Sequence, residues 1–139
     1  MKLLIDTNVI LDMVLKRGSC DISVELFRKI RTSGIDAYIT ASAVTDLFYI
    51  IRKEMHNTDQ TYVIMENIFK LVRILSVTEK DIRDAFRKKW KDFEDCVQYV
   101  TGENNGVDCI VTANQRDYTD TILPVLAPSV CINMIDNMQ

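Results

Sequence analysis

Residues 92–118, DFEDCVQYVTGENNGVDCIVTANQRDY, decide how this chain is read. Three acids in four residues, Asp92, Glu94 and Asp95, open a predicted helix, and Asn104, Asn105 and Gly106 stop it. A strand over 108–112 follows, and a polar loop ends at Asp117. A helix and strand that are antiparallel neighbours in an α/β layer put the helix start and the strand end on one edge of the sheet. Asp95 and Asp117 are therefore expected to face each other. Carboxylates brought together repel and resist desolvation, so a fold tolerates them with bound cations or perturbed pKa values.

Working outward, the same edge collects further acids. Leu3, Leu4 and Ile5 form a continuous apolar run, the mark of a strand buried on both faces, and it stops at Asp6. Thr7 or Asn8 is placed to cap a helix carrying Val9, Ile10, Met13 and Val14. Asp6 then ends a central strand, where open α/β sheets place their sites. A helix over 21–32 stops at Gly34, a strand spans 37–40, and Thr40 or Ser42 caps a third helix reaching about residue 53, with Asp46 in its early turns. A fourth helix covers 59–71, a strand 73–77, and Thr78 opens a fifth helix with Asp81 as its capping-box acid. A fifth strand, at the sheet edge, is expected over 130–134. Strands alternating with helices predict a parallel α/β sandwich with right-handed crossovers.

The 139 residues fit a single domain, 1–139, able to bury about two-thirds of its unfolded surface. With 47% hydrophobic and 27% charged residues, four Gly and two Pro, the chain has no low-complexity or linker segment, and no fixed-period repeat is evident. Asp6 and Asp12 interrupt the first apolar residues, which argues against a signal peptide or membrane span and makes the cytoplasm the default location. Cys20, Cys96, Cys109 and Cys131 are widely spaced and His56 stands alone, so reduced, mostly buried thiols are expected in place of a zinc site. A net charge of -3 argues against holding nucleic acid by bulk charge, while leaving room for a local basic track.

Asp6, Asp46, Asp95 and Asp117 offer hard oxygen ligands with no His or Cys nearby, which suits Mg²⁺ or Mn²⁺. Such a cluster leaves room for water and phosphate oxygens and fits phosphodiester hydrolysis. Each acid also has a plainer reading: Asp92 as an ordinary helix cap with Asp95 three residues on, Asp46 and Asp117 as solvated surface groups. Asp6, ending an apolar strand, is hardest to explain that way, and the convergence carries the weight. Asn8, Asp92, Thr112 and Asn114 are read as residues orienting the acids or the substrate. Lys80, Arg83, Arg87 and Lys91 form a basic stripe, either a track for an RNA backbone or a solvated helix face. Trp90 and Tyr99 are expected in the core or an interface, not as base-stacking platforms.

The motifs LLIDTNVILD, SAVTDLFYIIRK, DFEDCVQY and IVTANQRDY, in that order across nearly the whole chain, resemble the PIN-domain ribonucleases that include VapC-type toxins. The resemblance implies a three-layer α/β/α sandwich around a central, mostly parallel five-stranded sheet and metal-dependent endonucleolytic cleavage of RNA. It also implies a homodimer, often neutralised by a small antitoxin. Asp6 matches the family's first acid, Asp95 the third, and Asp117 the fourth, after Thr112 and Asn114; these three are the implied metal ligands. At the second position the family usually has glutamate where this chain has Asp46, whose shorter side chain implies reach through water. Tyr118 stands where phenylalanine is frequent, read as a packing change. Two readings compete with the nuclease: a PIN-like RNA-binding or scaffold domain without catalysis, and a receiver-type or phosphohydrolase domain. The last is disfavoured because the first loop reads Asp-Thr-Asn and no lysine follows Lys91.

Overall fold

Leu3, Leu4 and Ile5 are completely buried because β1 (Lys2–Ile5) lies in the middle of a five-stranded sheet. A computed structural model describes residues 1–139. After β1 come α1 (Thr7–Val14), α2 (Cys20–Ser33), β2 (Asp36–Thr40), α3 (Ala41–Met55), α4 (Thr58–Leu71), β3 (Arg73–Leu75), α5 (Glu79–Lys88) and α6 (Phe93–Asn104). Next are β4 (Cys109–Val111), a 3₁₀ turn (Gln115–Asp117), β5 (Val125–Leu126) and α7 (Pro128–Asn137). The strand order is β3-β2-β1-β4-β5, and every pairing is parallel. No helix is long and apolar enough to cross a membrane.

The strand alternation sorts the core into two layers. Leu3, Ile5, Cys109 and Val111 point into a core shared with α1, α2, α3, α4 and α7, whereas Leu4 and Ile110 point to the opposite face, toward α5 and α6. The result is the three-layer α/β/α sandwich. α6 sits close to that second face because Gly102 has no side chain: a Cβ there would come within 2.9 Å of Leu4 Cδ2 and 3.0 Å of Val107 Cγ2. Nearer its start, α6 is tied to the end of β1 by the hydrogen bond from Gln98 to Asp6.

Local chemistry sets the helix ends. The Thr40 hydroxyl accepts from Ala43 N to start α3, Thr78 and Asp81 form a full capping box on α5, and Asp92 accepts from Asp95 N to start α6. Gly34, at φ +67°, ends α2 in the left-handed conformation that glycine adopts without strain. At α1 the expected cap moves by one or two positions. Asp6 occupies the cap position, ahead of Thr7 and Asn8, yet makes no capping hydrogen bond because its carboxylate is engaged elsewhere.

The C-terminal region departs from expectation. Residues 130–134 are helical, inside α7, and the fifth strand is the two-residue β5 beside β4. Pro128 starts α7 at a position that needs no N–H donor. Cys131 and Ile135, four apart on one face, are fully buried, and a Lys29–Asp136 ion pair ties α7 to α2. All four cysteines are free thiols.

Candidate active site

Between β1 and β4 the chain order reverses: β2 and β3 were added on one side of β1, and β4 and β5 lie on the other. Crevices at the carboxyl ends of strands flanking such a reversal are the usual ligand sites of open α/β sheets. Asp6 follows β1 and Thr112 follows β4, both buried at this point. Thr112 Oγ1 donates to Asp6 Oδ2 at 2.8 Å and Tyr118 OH donates to the same oxygen at 2.9 Å. Gln98 Nε2 and Thr7 Oγ1 each donate to Asp6 Oδ1 at 3.2 Å. Charge-assisted bonds from several directions fix this carboxylate in one orientation.

α6 brings the second group of acids. Asp92, Asp95 and Asp117 place carboxylate oxygens within 4.8 Å of one another. Gln98, one turn beyond Asp95, spans the gap to Asp6: its Nε2 lies 3.4 Å from Asp95 Oδ1 as well as 3.2 Å from Asp6 Oδ1. Its Oε1 is buried without a partner. Asn114 Nδ2 donates to Asp117 Oδ2 at 2.7 Å, and Asn8 ties the two strand ends by accepting from Ala113 N at 3.1 Å while donating to Thr112 Oγ1 at 3.2 Å.

The electrostatics follow from this crowding. Burial, then the charges of Asp6, Asp92 and Asp117, then a hydrogen bond with Asp117, push the Asp95 carboxyl up to about 8. At neutral pH a proton therefore resides on Asp95 and relieves the repulsion. Burial also raises Asp46, on α3, while a hydrogen bond with Glu94 lowers it. Glu94 is raised by burial, by the charges of Asp46 and Asp92, by its bond to Asp46 and by the charge of Asp6. An all-oxygen set of crowded carboxyl groups is what a hard divalent cation could stabilise in place of the proton on Asp95.

The structure thus brings Asp95 and Asp117 together, with Asp92 as a third neighbour that also caps α6, and sets Asp6 beside them through Gln98. Asp46 lies against Glu94 and is not among the three mutually adjacent acids. The basic stripe divides. Lys80 and Arg87 pair with Asp84, and Arg83 with Glu79, all within α5, whereas Lys91 lies beyond the helix end. Trp90 and Tyr99 pack together, with ring centroids 5.4 Å apart.

Three participants were not singled out from the sequence. Glu94 was legible only as one of three helix-opening acids. Gln98 had a usable signal, a polar residue one turn from Asp95 on a helix buried from Asp95 to Gly102. Tyr118 is more than a packing change, since its hydroxyl holds Asp6.

Comparison with known proteins gives the family and the fold. Residues 2–116 match the family model described as PIN domain. The chain is 21% identical over 136 residues to Ribonuclease VapC1 of Aquifex aeolicus (strain VF5), spanning 94% of this chain and 93% of that protein. Among solved structures it is similar to VapBC2 from Rickettsia felis bound to a DNA fragment from their promoter, with a TM-score of 0.72 at 15% identity, over 91% of this chain and 98% of that one. A toxin-antitoxin complex from Klebsiella pneumoniae matches with a TM-score of 0.64 at 18% identity, over 91% and 97% of the two chains. At these identities the structural likenesses show a shared fold.

Proposed function

The chain belongs to the PIN-domain family, and from that premise we propose that it is a Mg²⁺- or Mn²⁺-dependent endoribonuclease, the toxin of a toxin–antitoxin pair. The observation that carries this reading is the convergence of Asp6, Asp92, Asp95 and Asp117 at the β1/β4 reversal, held by donors that leave no cation of the protein's own among them. Asp6, Asp95 and Asp117 would hold the ion, with Asp92 beside them. Bound there, a divalent cation lowers the pKa of a water and offsets charge on the phosphorus.

The chain's own residues supply position and proton control. Thr112, Tyr118 and Gln98 keep Asp6 in a single orientation, so no reorganisation of that group is needed as charge develops. Asn114 does the same for Asp117. Asp95 gives up its proton when a cation arrives, which couples loading to pH. Glu94 places a second carboxyl beside Asp46, so the shortened side chain at that position does not leave the wall of the site without an acid. A small antitoxin partner goes with this reading, supported by the toxin-antitoxin complex of the same fold, and a homodimer is what the reading further entails. A cytoplasmic setting accords with an RNA substrate and with four free thiols.

Incubating the purified protein with structured and single-stranded RNAs in Mn²⁺, Mg²⁺ or EDTA tests the proposal. Internal cleavage that leaves 5′-phosphate and 3′-hydroxyl ends and stops in EDTA is the expected result. Binding that persists in EDTA with no cleavage under any condition would move the assignment to a non-catalytic RNA-binding domain.

A further inference from the structure

A cavity of about 440 Å³ opens directly beside the acid cluster, and its chemistry differs from that of the site itself. Asp92 and Asp117 line it together with four cations, Lys88, Lys89, Lys91 and Arg116, and with Trp90, Thr119 and Asp120. None of its four cations takes part in an ion pair, in contrast to Lys80, Arg83 and Arg87 on the exposed face of α5, each of which is matched by an acid of the same helix. Lys89 is the least available of the four, because its Nζ lies 4.0 Å from the centroid of the Phe86 ring. Lys88 leans over the Tyr99 ring at 5.5 Å, and Lys91 and Arg116 are exposed and uncommitted.

Trp90, the aromatic residue of this lining, is packed against the core. Trp90 packs on Tyr99 at 5.4 Å and meets Tyr118 edge-on at 5.7 Å, and Tyr118 in turn donates to Asp6. The cations are therefore mounted on the same packed unit that positions the first acid. Their charge balance also depends on the acid site. Once a cation engages Asp92 and Asp117, Asp120 is the sole uncommitted acid left in the lining, and the cavity becomes strongly positive.

We propose that this cavity is the subsite for backbone phosphates of the RNA strand next to the cleaved bond, with Lys88, Lys91 and Arg116 as its phosphate contacts. The assignment rests on the nuclease reading above. It moves the RNA track from the face of α5 to the turn between α5 and α6 and the loop after β4. A polyanion leaving the acid site meets unpaired cations in this direction, whereas along α5 it meets cations already satisfied by carboxylates. The contacts are to phosphates, so they position the strand without reading its sequence.

The test compares two charge-removing triple variants of the full chain, Lys88→Gln/Lys91→Gln/Arg116→Gln and Lys80→Gln/Arg83→Gln/Arg87→Gln. Binding of a fluorescent single-stranded RNA is followed across salt concentrations in EDTA and in Ca²⁺, with Mn²⁺ affinity measured separately by calorimetry. The cavity variant should bind RNA about tenfold more weakly at 0.1 M salt. Its slope of log affinity against log salt should fall by about 2, at about 0.7 per lost contact, with Mn²⁺ affinity undiminished. The α5 variant should keep the wild-type affinity and slope. Wild-type binding by the cavity variant, or an equal loss in the α5 variant, would overturn the subsite. The two readings fail separately. A wild type that binds RNA through the cavity but never cleaves sinks the nuclease alone; a cleaving wild type matched by its cavity variant sinks the subsite alone.

Discussion

Asp6 and Asp95 solve the same problem, a carboxyl group in a crowded buried site, in different ways. Asp6 is held by hydroxyl and amide donors, and Asp95 by a proton. Removing one donor tests the first arrangement. Tyr118→Phe keeps the ring and its packing but loses a buried charge-assisted bond, so it should lower stability in urea unfolding by about 1–2 kcal/mol and slow RNA cleavage only about severalfold, because Thr112 and Gln98 still hold Asp6. For Asp95 the sign runs from its raised value. The folded, metal-free protein keeps a proton that the unfolded chain releases near pH 4, so stability falls as pH rises from about 4 to about 8. Asp95→Asn should therefore stabilise the metal-free protein at pH 8 by about 1–3 kcal/mol and flatten the pH dependence of its melting temperature. Asp46 and Glu94, raised in the same sense, keep some slope in that variant. Equal pH slopes in the two proteins would contradict the account. Asp6, Asp95 and Asp117 were legible because strand ends and helix starts locate themselves in the sequence. The duties of Gln98 and Tyr118 were not, because they depend on which atoms meet across 92 and 112 positions of chain.

Among the elements, α6 bears most on the site, since it carries Asp92, Glu94, Asp95 and Gln98 and approaches β1 through Gly102. Gly102→Ala places a methyl group 2.9 Å from Leu4 Cδ2 and 3.0 Å from Val107 Cγ2, so two buried side chains must shift to admit it. It should cost about 1–3 kcal/mol and, by displacing α6, weaken Mn²⁺ binding measured by calorimetry. Wild-type stability and metal affinity would show that the close contact does not matter. The helices that position acids were readable from their caps at Thr40, Thr78 and Asp92. α7 was not, because a five-residue stretch with four apolar residues fits a strand or one face of a helix equally well, and the two-residue β5 is too short to show a period. The basic stripe on α5 was real as a helical pattern, but the sequence did not reveal that Glu79 and Asp84 satisfy it.

For the molecule as a whole, alternating strands and helices foretold a parallel α/β sandwich, whereas the order β3-β2-β1-β4-β5, which creates the crevice, depends on where each crossover returns. A site assembled from both halves of the chain ties cation binding to global stability. Saturating Mn²⁺ should raise the melting temperature by several degrees, about 2–4 kcal/mol at a hundred to a thousand times the dissociation constant, and EDTA should reverse the rise. The most direct test of the central claim is RNA cleavage by wild type and Asp6→Asn, side by side in Mn²⁺. An asparagine amide oxygen in the place of Oδ2 still accepts from the hydroxyls of Thr112 and Tyr118, so the variant should retain its circular dichroism spectrum while cleaving at least about a hundredfold more slowly. A folded Asp6→Asn protein that cuts RNA at the wild-type rate would contradict the account.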